Sequence, residues 1–270
     1  MPRIAVISHK FDKFNRRSYL LAPILKELEA EGVTAEVTRG PKQFVEADLA
    51  ILHVDSTVVD PSYVALAKRY RRVLNLGVTD IRKGRVSGAA LSKGDGWQGP
   101  VLVKTQVNGR GAPELYHNEV ARLRGKPLPH PEVTALRDYE IFPRVADVPA
   151  AVWRDEHLAV EKFIPEIDPH GYGLRTWVFF GTRETCSRCV GLTPMVKGAD
   201  IVSREVIEVP DGLRAQRKRF GFDYGKFDFV EHDGVPVLLD ANMTPTVPER
   251  LSEELQRSAR ELAKGLLAML

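Results

Sequence analysis

Two short runs, "RIAVIS" at residues 3–8 and "DLAILHV" at 48–54, are apolar at nearly every consecutive position. A strand with one wet face alternates apolar and polar side chains, so these runs call for cover on both faces. Helices packed above and below a parallel sheet provide it. The chain carries the helices in the right places. In "SYLLAPILKELEAEG" the residues Leu20, Leu21, Ile24, Leu25 and Leu28 follow three-four spacing, and Gly32 supplies a stop signal. With "TAEVT", "PSYVALAKRYRR" and "VLNLGV" the segment reads as βαβαβ punctuation. An α/β, Rossmann-like domain is therefore expected over residues 1–85.

The whole chain has 270 residues, 43% of them hydrophobic and 28% charged, enough for two or three small lobes with shared cores. Its 39 basic and 36 acidic residues are interspersed, giving a net charge of +3 and no stripe suited to a nucleic-acid backbone. The apolar run after Met-Pro-Arg is too short for a secretory signal, and no window approaches 18 apolar residues. A soluble cytoplasmic protein without membrane contact is expected. Two cysteines, Cys186 and Cys189, cannot form a disulfide framework, and C-x-x-C lacks the second ligand pair that zinc needs. They read as reduced thiols in a hairpin turn.

Residues 80–99, rich in Gly and charge, separate the first domain from a fresh strand, "PVLVKT". A Gly-containing loop, a short helical pattern and the strand "HLAVEKFI" complete a middle lobe, assigned to 86–164. The remaining lobe, 165–270, reads as mainly antiparallel and ends in a helix, making the chain α/β with an α+β remainder.

Near its end lies "KFDFVEHDGVPVLLDANMTP", residues 226–245, which puts Asp228, Asp240 and Asn242 on otherwise apolar strands. Strands are depleted in Asp and Asn, and burying unpaired charge is expensive, so a compensating cation is expected. With a two-residue Asp233-Gly234 turn, Asp228 would face away from Asp240. A three-residue His232-Asp233-Gly234 loop, or a compensating bulge, puts Asp228, Asp240 and Asn242 on one face, and the loop adds Leu238 to it. Oxygen ligands without His or Cys suit a hard cation such as Mg²⁺, normally completed by substrate phosphates.

This pattern resembles the metal-binding hairpin of the ATP-grasp enzymes, of the carboxylate-amine ligase type exemplified by D-alanine-D-alanine ligase and glutathione synthetase. Upstream, "PVLVKT" resembles the family's strand with the nucleotide lysine, "NGRG" its lid loop and "LAVEKFIPEID" its hinge strand. The likeness covers roughly residues 100–245, after a preceding α/β domain.

The resemblance implies an ATP-grasp fold with two lobes clasping ATP, and an amide- or peptide-bond-forming ligase acting through an acylphosphate. It implies Mg²⁺ on Asp228, Asp240 and Asn242. Lys104 would meet the phosphates under a loop of Gly109, Arg110 and Gly111. Glu161, Lys162 and Ile164 would lie along the adenine and Asp168 on the ribose. Arg175, Lys226 and Lys197 would face the reaction centre. Asp240 stands where the family usually has Glu, which leaves one or two ions open. Substrates would be a small-molecule carboxylate and an amine, and a homo-oligomer is compatible with the reading. A small-molecule kinase and a non-catalytic nucleotide-binding regulator are the alternatives. His9, Lys10, His53, Asp55 and Thr57, at strand ends of the first domain, read equally as acceptor contacts or loop residues.

Overall fold

The computed structural model describes the chain except residues 13, 15–18, 137 and 249, and the side chains of residues 168 and 199. Strands β1 (Arg3–Ser8), β2 (Thr34–Arg39), β3 (Leu49–Leu52) and β4 (Val73–Leu74) form a parallel sheet in the order β2-β1-β3-β4. Helices α1 (Leu21–Ala30) and α2 (Pro61–Ala67) join them. The two-faced burial expected for "RIAVIS" and "LAIL" is present: Ile4 and Val6 pack toward α1, and Ala5 and Ile7 toward α2.

After the short α3 (Lys83–Val86), a three-stranded sheet follows: β5 (Val101–Thr105) between β6 (Glu140–Phe142) and β7 (Leu158–Lys162), with α4 (Ala112–Leu123) inserted after β5. Its own small core is Val101, Val103, Val148 and Val160.

The largest sheet has the order β11-β10-β9-β12-β13, from β9 (Gly171–Phe180), β10 (Arg183–Gly191), β11 (Ile201–Val206), β12 (Tyr224–His232) and β13 (Val235–Asn242). A short β8 (Glu166–Asp168) pairs with the start of β9. All its pairings are antiparallel. Helices α5 (Asp211–Phe220) and α6 (Glu253–Leu267) complete the chain, α6 capped by the Ser252 side chain, which accepts from Leu255 N–H. Trp177, Phe179, Phe227, Phe229 and Leu238 on the large sheet share one core with Ala5, Ile7 and Leu52 of the first. The two sheets are thereby fixed to each other by common apolar contacts.

The β12–β13 hairpin corrects one expectation and keeps its consequence. The turn is two residues, not three: His232 pairs with Val235, and Asp233 and Gly234 have φ of 51° and 75°, the two positive values a type I′ turn demands. That register alone would separate the acids. A bulge restores them: Asp228 pairs with Asp240 and Phe229 with Leu238, leaving Leu239 with no opposite residue. Leu238 does not join the acids, as expected of a three-residue loop, but lies with Phe229 in the core. Pro236, lacking an N–H, is tolerated because β13 is an edge strand.

A side chain at Gly234 would meet no atom within 4 Å, so its cost is conformational alone. Gly234→Val should lower the unfolding free energy by about 1–2 kcal/mol, measured by urea unfolding, and Gly234→Asn by clearly less, since Asn tolerates left-handed backbone. Equal losses for the two would contradict this origin.

Candidate functional site

Because side chains alternate along a strand, Lys226, Asp228, Asp240 and Asn242 share one face of the hairpin, together with Thr176 of β9. Asp228 accepts from the Thr176 hydroxyl at 3.1 Å and faces Lys226 Nζ at 2.9 Å. Burial works against the Lys226 charge, but Asp228 and, farther off, Asp240 outweigh it and raise its pKa above the ordinary lysine value. Asp240 accepts from Lys83, at the start of α3, whose side chain is 2% exposed. Asn242 Oδ1 accepts from Thr244 N–H at 2.8 Å. The Thr244 hydroxyl lies 3.2 Å from the same oxygen but 2.7 Å from Asp55 Oδ1, and its single proton serves the shorter contact. One lone pair of Asn242 Oδ1 therefore remains available to a cation.

Across from this face stand the side chains of the small sheet. Lys104 Nζ lies 2.5 Å from Glu161 Oε2 and 3.5 Å from the carbonyl oxygen of Leu239, the bulge residue. Glu161 is 1% exposed; burial raises its pKa, and the nearby positive charges of Lys104 and Lys83 only partly offset that. Half-buried Tyr139 is pushed up to about 12, by burial first and then by the charges of Asp240 and Glu161. Three lysine–carboxylate pairs thus converge on one cleft between the small and large sheets.

The other sequence candidates divide. Lys197 is exposed and, with Lys226, Asp228 and Thr176, lines a cavity of about 920 Å³ that reaches Gly109. Gly109, Arg110 and Gly111 have φ of 52°, 59° and 89°, a left-handed run that turns the chain into α4. A Cβ at Gly111 would come within 2.8 Å of Val133, which makes glycine necessary there. Arg110 is paired with Asp138 at 2.8 Å. Along the hinge, Lys162 and Phe163 donate their N–H groups inward to Ala89 and Pro100, and the Lys162 ammonium sits 5.1 Å from the Trp97 ring centre. Ile164 follows directly and is half-buried. The Asp168 backbone pairs with Gly171, and its side chain lies outside what the structure describes.

Arg175 is a correction. Its neighbour Thr176 points at Asp228, so alternation sends Arg175 to the opposite face. There it is held by Glu166 at 2.8 Å and Glu231 at 2.9 Å, alongside Arg188. The cysteines are a second. The β9–β10 turn is Gly181-Thr182, so "CSRC" is strand, with Cys186 in the core facing Trp177 and Cys189 on the other face. Burial raises both thiols, Cys186 to about 11, so both stay protonated.

Among the first-domain candidates, His53 is fully buried, edge-on to Tyr19 and Phe14, with its pKa lowered to about 3 by desolvation. It is a core residue. Asp55 accepts from Tyr19 and Thr244, joining the first domain to the Asn242 turn. Thr57 accepts from Asn108 N–H at 2.7 Å and so fastens the glycine-containing turn before α4. Lys10 is exposed, and His9 stacks on His117.

Sequence reasoning missed Lys83, Thr176 and Tyr139. Lys83 had a signal: a lysine five residues past the "VLNLGV" strand region, in "TDIRKG", that was assigned to a linker on its Gly and charge content. Nothing in the sequence singles out Thr176 or Tyr139.

No protein-family model matches the chain, and no curated protein sequence matches it. Solved structures do. D-cycloserine synthetase DcsG is 16% identical, with a TM-score of 0.51 and 99% of each chain covered. D-alanine–D-alanine ligase from Bacillus anthracis, complexed with ATP, is 16% identical at TM-score 0.52, covering 100% of this chain and 96% of that one. ATP-grasp ligase PsnB, complexed with a minimal precursor, is 13% identical at TM-score 0.56, with 99% of each covered. The chain has the ATP-grasp fold.

The buried Lys104–Glu161 pair changes what a Lys104 substitution tests. Glu161 has a raised pKa in the folded protein, so its contribution to stability is full below its unfolded value of 4.5 and is lost as pH rises through the folded value. Removing Lys104 raises the folded value further. Lys104→Met should therefore destabilise by about 3–5 kcal/mol near neutrality, where folding requires Glu161 either to stay charged without its partner or to take up a proton, and by less at about pH 5, where protonation costs less. Urea unfolding at both pH values checks this, and Lys104→Met/Glu161→Gln should recover most of the loss. A pH-independent deficit would contradict it.

Proposed function

We propose that the protein is an ATP-dependent carboxylate-amine ligase, releasing ADP and forming an amide or peptide bond through an acylphosphate. The observation that carries the reading is the convergence of Lys83–Asp240, Lys226–Asp228 and Lys104–Glu161 on one cleft of an ATP-grasp fold.

The donor set fits magnesium. Asp228 and Asp240 are directly paired across the hairpin, Asn242 has a lone pair free, and all three offer oxygen. The lysines neutralise those carboxylates in the free protein. With magnesium and nucleotide bound, Asp240 would take the cation and release the Lys83 ammonium to a phosphate oxygen, while Lys104 would reach a phosphate oxygen without leaving buried Glu161. Magnesium, when bound, neutralises charge on the transferring phosphoryl group. Lys226 stays on the acids' face, where its charge serves the substrate carboxylate that attacks the terminal phosphate. Ile164 and the Lys162 carbonyl supply the adenine edge, because the Lys162 and Phe163 N–H groups are already committed. Gly109, Arg110 and Gly111 cover the phosphates, and Asp168 takes the ribose.

The cavity of about 920 Å³ beside Lys226 and Lys197 suits the acceptor substrates. Its walls include Leu174, Val178, Val196, Ile201 and Leu255, so an apolar body with a charged end matches them. That description covers amino acids with apolar side chains and short peptides. Arg175 has no part in the reading.

Purified protein with ATP, Mg²⁺ and pooled carboxylates, amino acids and peptides should release ADP and form an amide product. ADP with a stable phosphorylated small molecule would indicate a kinase, and nucleotide binding without turnover a regulator; either outcome contradicts the ligase. Asp240→Asn should lower the turnover about 10²–10³-fold, as removal of a transition-state electrostatic group does, in protein that remains folded but melts at lower temperature, because buried Lys83 keeps a hydrogen-bond acceptor and loses its carboxylate's charge. Full activity of this variant at limiting Mg²⁺ would overturn the metal assignment.

A further inference from the structure

Away from the nucleotide cleft, three imidazoles meet between the first domain and α4. His9 follows β1, His117 is on α4 and His130 is in the loop beyond it. One ligand nitrogen from each lies within 4.8 Å of the other two. His9 and His117 stack with ring centres 3.6 Å apart, and the His117 and His130 ring centres are 5.8 Å apart.

We propose that His9, His117 and His130 form a binding site for a borderline divalent metal of the zinc class. Zinc takes imidazole nitrogen at about 2.0–2.1 Å, so two ligands on one tetrahedral ion lie ~3.4 Å apart. To reach that the cluster contracts and the His9 and His117 rings rotate out of their stack, turning both in-plane lone pairs toward one point. His9 and His117 are buried and His130 half-buried, and His130 Nε2 has no hydrogen-bond partner among the described residues.

Neighbouring groups favour a cation. Glu114, one turn before His117 on α4, is 2% exposed, and its Oε2 has no hydrogen-bond partner among the described residues. Its charge and that of Glu132 act on His130, and that of Asp60 on His9, against one opposing lysine, Lys10. Burial first, then facing His130 and Lys10, holds the His9 pKa down at about 3 against Asp60; burial lowers that of His130, with Glu114 and Glu132 partly offsetting it and Lys10 adding to it. A cavity of about 170 Å³ lined by His9, His130, Lys10, Asp60 and Tyr63 opens on the cluster and leaves a fourth position for water or an outside ligand. Three nitrogen ligands select zinc, cobalt, nickel or copper over magnesium, so the site is chemically separate from the oxygen cluster on β12–β13. A bound ion would pin α4, and with it the lid loop, to the end of β1.

Untagged protein, stripped of metal and free of nucleotide, is titrated with Co²⁺ and then Zn²⁺. The expected result is one Co²⁺ per chain with intense visible bands of tetrahedral type, displaced by Zn²⁺ and unaffected by Mg²⁺. His130→Ala, at a half-buried loop position, should weaken Co²⁺ at least tenfold, while His157→Ala and His232→Ala, outside the cluster, should not. Absence of saturable binding by the wild type, weak octahedral-type bands, or undiminished binding by folded His130→Ala would each overturn the proposal.

Discussion

Three lysines hold three carboxylates in charge balance where the small and large sheets face each other, and the rest of the site depends on that balance. Asp228 and Asp240, directly opposed on neighbouring strands, would repel each other, and Glu161 is almost wholly buried. Lys226, Lys83 and Lys104 make those positions tolerable. The lysines come from β12, α3 and β5, so forming the pairs also brings three separate chain segments to one cleft. Net stabilisation by buried ion pairs is small because desolvation offsets the attraction. On the proposed reading, their value lies in the Lys83–Asp240 pair, whose two charges a magnesium-nucleotide complex can take up separately.

The hairpin that carries two of the acids shows how local geometry decides chemistry. Its type I′ turn matches strand twist but sets the wrong register for a shared face. Leu239, the bulge residue, corrects the register and lets Asp228 and Asp240 align while Phe229 and Leu238 stay in the core. The carbonyl of Leu239 also turns toward Lys104, so the bulge contributes to the lysine's position as well. On the same sheet, one step of alternation separates Thr176, which touches Asp228, from Arg175, which belongs to a surface network with Glu166 and Glu231.

Much of the architecture was legible because its signals are local. The doubly apolar runs of β1 and β3 dictate a helix-covered parallel sheet, and Asp228, Asp240 and Asn242 stand out as acids and amide in strands. Motif order singled out the lysine of "PVLVKT" and the segment "EKFI", whose strands pair as β5 and β7, though not that Lys104 would be buried against Glu161. What escaped was set by tertiary register. Bulge and three-residue loop give the same parity, so sequence could not choose between them. Thr176 looks like any strand threonine until β9 pairs with β12. Lys83 was hidden in a segment whose glycines and charges read as linker, because burial of a lysine follows from a partner 157 residues away. The histidines at 9, 117 and 130 show no spacing motif; the fold alone assembles them.

The most direct test of the charge-exchange account is an experimental structure with Mg²⁺ and a non-hydrolysable ATP analogue. The account expects the ion on Asp228 and Asp240, the Lys83 ammonium moved from Asp240 onto a phosphate oxygen, and the Lys104 ammonium in reach of a phosphate while still facing Glu161. A complex in which nucleotide binds with the Lys83–Asp240 pair intact and no ion between Asp228 and Asp240 would contradict it.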